Sequence, residues 1–136
     1  MNHNHPTKPT AAELIELVEG YFASVDQNDL DGTLAAMAPD CLLEYKTQGA
    51  QFVGREQGIR KYFADRNANV LKSWHGNFTH TVDAANGRIA TRFDVKRTDI
   101  GAAERAGDNL NLFQFEGRQM KRISVWRGEG NPPVLP

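Results

Sequence analysis

The chain has 136 residues, 40% of them hydrophobic, enough to bury one core and too few for two. Sixteen Lys and Arg stand against 17 Asp and Glu, a formal charge of -1, so no global cationic field is present to hold nucleic acid or an anionic membrane. No apolar run approaches the length of a membrane span, and the single cysteine, Cys41, cannot form an internal disulfide, which makes a reducing, cytoplasmic setting the expectation.

Residues 1 to 9 are polar and aperiodic and read as a loose arm, in which His3 and His5 could grip a metal but fit a flexible or tag-like terminus better. Ordered structure is predicted from "TAAELIELVEGYFASVD", where Thr10 and Glu13 fit a capping box. Leu14, Leu17, Val18, Tyr21, Phe22 and Val25 then form one helical stripe. Asp26 falls on that apolar side at the helix end. It is either a solvated acid at a frayed terminus or a carboxylate held at the mouth of the core. A second helix is expected from about Asn28 to Met37, closed by Pro39. "CLLEYK" reads as a strand with Cys41, Leu43 and Tyr45 on one face, and Gly54 opens a third helix with Ile59, Tyr62 and Phe63 as its stripe.

Four strands are predicted next, roughly 73 to 83, 88 to 98, 108 to 116 and 118 to 126, with "ANGR" and "FEGR" as turns. The segment "TDIGAAERAGD" reads as a long, mobile loop, and residues 129 to 136 as a tail that cannot continue a strand. Helices followed by a meander define an α+β domain over residues 10 to 128, with helices on one face of a curved, mainly antiparallel sheet. In "NLNLFQF", Leu110 and Leu112 share one face while Asn111, Phe113 and Phe115 share the other. The second face would line an interior cavity and the first would meet a second copy of the chain, so a homodimer through the outer sheet face is expected.

Two alternations stay open. In a regular strand His75 faces away from Phe78 and His80, so that His80 points inward and His75 outward; a bulge at Gly76 would re-aim His75. Arg122 shares a face with Met120, Ser124 and Trp126, and if that face lines the cavity the arginine could clamp a carboxylate or phenolate.

The order of elements, together with "YFASVDQNDLDGTLAAMAPDCLLEYK" and "VGREQGIRKYF", resembles the nuclear transport factor 2-like superfamily over residues 11 to 127. These are cone-shaped α+β barrels that include ketosteroid isomerases, SnoaL-like polyketide cyclases, scytalone dehydratase and bile acid 7α-dehydratase. The resemblance implies the fold strongly and the reaction weakly. Tyr21 and Asn111 sit where the isomerase binds its carbonyl, but Tyr45 replaces the isomerase's basic aspartate. Asp26, Tyr45, His75 and Asn111 fall on the positions of the scytalone dehydratase site, whose second catalytic histidine has no counterpart here. The bile acid dehydratase pattern implies Asp94 as another partner for the histidine.

These side chains suit loss of water or isomerisation next to a carbonyl, with His75 as acid and base, Asp26 or Asp94 orienting it, and Tyr21, Tyr45 and Asn111 as neutral donors. Phe113, Phe115, Trp126, Arg122 and Asp94 are the expected substrate contacts. No metal or cofactor is required, and the expected ligand is a small hydrophobic molecule. Two other classes compete: a binding protein with the same pocket but no working base, and a structural dimerisation subunit. The first would show only Tyr and Asn facing inward, and the second a closed cavity behind a large apolar face.

Overall fold

A computed structural model describes residues 8–128. His3, His5 and the tail 129–136 lie outside the described residues. The first helix, α1 (Ala11–Asp26), begins with the expected capping box: the Glu13 amide donates to Thr10 Oγ1 at 3.1 Å and the Thr10 amide to Glu13 Oε1 at 2.9 Å. Its stripe of Leu14, Val18, Tyr21, Phe22 and Val25 is buried against the sheet, where Phe22 packs on Phe93 with ring centroids 4.6 Å apart.

The second helix is shorter than its sequence suggested. Asp29 caps α2 (Leu30–Leu34), and extended structure starts already at Met37 in β1 (Met37–Tyr45). Pro39 therefore stands inside a strand rather than closing a helix. It is tolerated because pairing of β1 is interrupted between Met37 and Leu42, where a missing amide donor removes nothing from the ladder. A hairpin leads to β2 (Ala50–Val53), and a π-helical turn, Gly54–Ile59, winds into α3 (Arg60–Asn69).

Four strands complete the chain: β3 (Val70–Asp83), β4 (Arg88–Asp99), β5 (Arg105–Glu116) and β6 (Gln119–Arg127). The sheet order is β2-β1-β6-β5-β4-β3, antiparallel throughout except for β1 beside β6. It is a curved, open, six-stranded sheet with three helices on its inner face, an α+β cone. Gly87 closes the β3–β4 hairpin at φ 66°, and a Cβ there would lie 2.6 Å from the Phe115 carbonyl oxygen. The segment expected to be a long loop contracts to residues 100–104, because β5 starts at Arg105 opposite Arg97.

Two bulges set which side chains face the core. In β3, Gly76 pairs with Asp94 and Thr79 with Arg92, so β3 holds one residue more than β4 here, and Asn77 adopts φ 53°. In β6, Gln114 faces Arg122 but Phe115 faces Met120, which leaves Lys121 as the extra residue. Met120, Ile123 and Val125 consequently all enter the core. Arg122 and Trp126 are turned outward, correcting the expected shared face with Met120.

Candidate active site

The strand starts of β3 and β5 and the strand ends of β1, β4 and β6 meet at one end of the cone. A cavity of about 60 Å³ opens there, walled by α1, α3 and the inner sheet face. Tyr21, Tyr45, His75 and Asn111 all line it.

The β3 bulge decides the histidine. Below it Ser73 and His75 point inward and Trp74 outward, while beyond it Phe78 packs inward on Phe22. His75 and His80 thus both face the helices, which a strict alternation forbids. His80 is committed elsewhere, with Nδ1 on Thr91 Oγ1 at 2.8 Å and Nε2 on Glu19 Oε2 at 2.7 Å. The His75 ring is 12% exposed, tilted against Phe22 with ring centroids 5.1 Å apart, with Nδ1 2.5 Å from Asp26 Oδ1.

Asp26 is no frayed terminus. Its Oδ2 accepts the His75 backbone N–H at 2.8 Å, and its Oδ1 accepts the Ser73 hydroxyl at 2.9 Å as well as the imidazole. Ser73 Oγ in turn accepts from Arg66 Nη2 at 2.8 Å. Burial alone would raise the Asp26 pKa, but the bonds from His75 and Ser73 outweigh it and hold the carboxyl below its ordinary value. An ionised Asp26 can only accept, so Nδ1 carries a proton, and the lone pair of the neutral ring is the one on Nε2 at its far edge. Arg66, Ser73, Asp26 and His75 form one continuous chain of hydrogen bonds.

Desolvation raises the Tyr21 and Tyr45 hydroxyl pKa values well above the usual range, so both remain neutral donors. Asn111, 3% exposed, projects from β5 with its Oδ1 unbonded. Phe22, Phe63 and Phe93 complete the apolar part of the wall.

The remaining wall is basic. Arg66, Arg97 and Arg127 line the cavity, together with Tyr62 and Asn109. Arg97 pairs with Asp99 at 2.6 Å, and Arg66 is bonded to Asn28, Asn67, Ser73 and the Val25 carbonyl. Arg127 Nε is buried without a hydrogen-bond partner. No signal in the sequence marks these arginines as inward facing. They lie near strand ends, where solvation is the usual expectation, and the phase of β6 depends on its bulge.

Several expected contacts do not reach this cavity. Asp94 lies on the opposite side of the sheet, bound to Arg92 and Asn77 at 2.8 Å each, so Asp26 and not Asp94 partners the histidine. Arg122 is outside as well, its Nε 2.7 Å from Glu44, and Trp126 is an outer-face residue 38% exposed. Phe113 and Phe115 are in the core behind the cavity and do not line it. A larger, shallow groove of about 300 Å³ runs along Lys72, Trp74, Lys96 and Glu104, but it contains no base held by an acid. Among the described residues no group of three His, Cys, Asp or Glu side chains could hold a metal ion, and no helix is long and apolar enough to cross a membrane.

A curved six-stranded sheet with three helices on its inner face is the ketosteroid isomerase-like α+β cone. Residues 18–127 match the model of the SnoaL-like domain, and the chain belongs to that family. Among solved structures, a candidate polyketide cyclase from Xanthomonas campestris pv. campestris superposes with a TM-score of 0.73 at 19% identity, covering 85% of this chain and 90% of its own. A ketosteroid isomerase-like protein from Catenulispora acidiphila, in complex with trimethylamine, gives a TM-score of 0.75 at 16% identity over 88% and 95% of the two chains. TerC, co-crystallised with polyporic acid, gives 0.73 at 15% identity over 85% and 91%. No curated protein sequence matches the chain.

Proposed function

We propose that this chain is a cofactor-independent dehydratase or isomerase that works by general acid–base catalysis on a small cyclic hydroxy-carbonyl compound. The observation that carries this reading is the half-buried His75–Asp26 pair, with His75 on the cavity wall. A pocket used only for binding has no need of an imidazole held in one tautomer by an ionised acid. The small organic molecules in the structures of the Catenulispora protein and TerC support a small-molecule ligand for this chain.

In the proposed reaction the Nε2 lone pair of His75 removes a proton from the carbon next to the substrate carbonyl. Electrons move onto the carbonyl oxygen, and the resulting enolate is met by donors from Tyr45, Tyr21 and the Asn111 amide. Asp26 stabilises the imidazolium without itself taking the proton. The enolate then re-forms its carbonyl, expelling a β-hydroxyl that takes the Nε2 proton and leaves as water. In isomerisation the same proton returns to a different carbon. His75 ends neutral in both cases.

The cavity is well below the roughly 300–1,000 Å³ of sites for drug-sized ligands. A one-ring or two-ring substrate therefore fits the site better than a steroid, and side chains at the open end must move to admit it. The test is a screen of phenolic and polyketide-like hydroxy-ketones for loss of water by mass spectrometry. His75→Ala should lower turnover by about 10²–10⁴-fold, the usual worth of a positioned acid–base group. Full turnover by that variant would refute the base assignment, and ligand binding with no turnover of any compound would make the chain a binding protein. We further propose that the outer sheet face around Leu110 and Trp126 is covered by a second copy of the chain.

A further inference from the structure

Three polar side-chain atoms are buried without a partner in the described part of the molecule, and all three belong to residues that line the same cavity: Asn109 Oδ1, Asn111 Oδ1 and Arg127 Nε. Buried polar groups left unpaired are expensive and uncommon, so three around one void mark what the void is built to receive. Their chemistry is specific. Two are acceptors that require an O–H or N–H, and one is a cationic donor that requires an oxygen, best an anionic one.

Charge points the same way. Arg97 is balanced by Asp99, and Arg66 is linked through Ser73 to Asp26, which stands behind the His75 ring. Among the described residues no carboxylate lines the cavity, and Arg127 is paired with none. Burial pulls the Arg127 pKa down against the opposing influence of Tyr45 and Tyr62, as for a cation held away from water. Backbone contacts hold the residue in place: its N–H donates to Thr47 Oγ1 at 2.8 Å.

We propose that the cavity takes a hydroxy-carboxylate, its carboxylate received by Arg127 and its hydroxyl donating to the carbonyl oxygen of Asn111. The inference rests on the acid–base reading for what happens to the bound hydroxyl, but the binding chemistry stands on the unpaired groups alone. It narrows the substrate from a neutral hydroxy-ketone to an acid. It also places that hydroxyl at Asn111 on β5, inside the same small cavity that His75 lines.

The test is isothermal titration calorimetry at low ionic strength with two matched sets: lactate, propionate and methyl lactate, then mandelate, phenylacetate and methyl mandelate. The hydroxy acids should bind about tenfold or more tightly than their esters, which lack the charge, and about fivefold more tightly than the acids lacking the hydroxyl. Arg127→Met should erase the preference for acid over ester, Arg127→Lys should restore part of it, and Asn111→Asp should repel the acids. These preferences are read from binding alone and hold whether or not any compound is turned over, which separates this inference from the acid–base reading. Equal binding of acids and esters, an unaltered preference in Arg127→Met, or no binding of either set at millimolar concentration would overturn it.

Discussion

Asp26 ends α1 facing three donors, the His75 ring, the His75 backbone N–H and the Ser73 hydroxyl. Its pKa in the folded chain lies below the ordinary value of 3.8, because those bonds outweigh the cost of burial. A depressed folded pKa stabilises the fold at every pH above the unfolded value, and the contribution disappears as pH falls through the folded one. Chemical denaturation should therefore show stability declining from about pH 4 downward, and Asp26→Asn should flatten that decline. At pH 7 the same variant should lose roughly 1–3 kcal/mol, the worth of hydrogen bonds to a charged group. An acid limb identical in wild type and variant would show that Asp26 is not ionised in the folded chain. At this scale the sequence was informative where the period of one element sufficed. Tyr21 follows from helical spacing, which put Asp26 on the apolar side but left it open between a solvated acid and a held carboxylate, and Tyr45 and Asn111 follow from strand alternation. Ser73, Arg66 and Arg127 were not legible, since a serine beside a tryptophan and arginines near element ends look like solvated surface until the partner element is known.

At the scale of elements, what could not be read was strand phase. Both bulges insert one residue, and a period-two pattern is inverted by a single insertion. In β3 this brings His75 in beside Asp26, and in β6 it sends Arg122 and Trp126 out while bringing Arg127 in. A glycine at 76 hints at the first bulge, whereas nothing in "RQMKRIS" hints at the second. Removing Asn77, the residue with φ 53° at the bulge, should restore continuous pairing with β4 and turn His75 and Ser73 to the outer face. Turnover of the deletion variant is expected to fall to the level of His75→Ala, with the sheet retained by circular dichroism. Retention of more than about a tenth of wild-type turnover would mean that the ring reaches Asp26 without the bulge.

For the whole molecule, the order of elements was legible because two helices, a hairpin, a third helix and a meander leave few ways to bury one apolar face. The proposed assembly depends on the other face, which the chain only partly conceals. Glu44 is 2% exposed there, covered by Arg122, Ser124 and Gln51, so the centre of the outer sheet is a satisfied polar network rather than open grease. Beside it Leu110 and Trp126 face each other across β5 and β6, 44% and 38% exposed. A two-fold contact would set this pair against its own copy, burying the aromatic ring while the polar network supplies the rim. Leu110→Arg with Trp126→Glu should then convert a dimer to a monomer in analytical ultracentrifugation. The wild-type melting temperature should rise with protein concentration, and that dependence should vanish in the double variant. Sedimentation of the wild type as a monomer at tens of micromolar would assign the exposed pair to some other partner, and the cavity at the open end of each cone would be complete in a single chain.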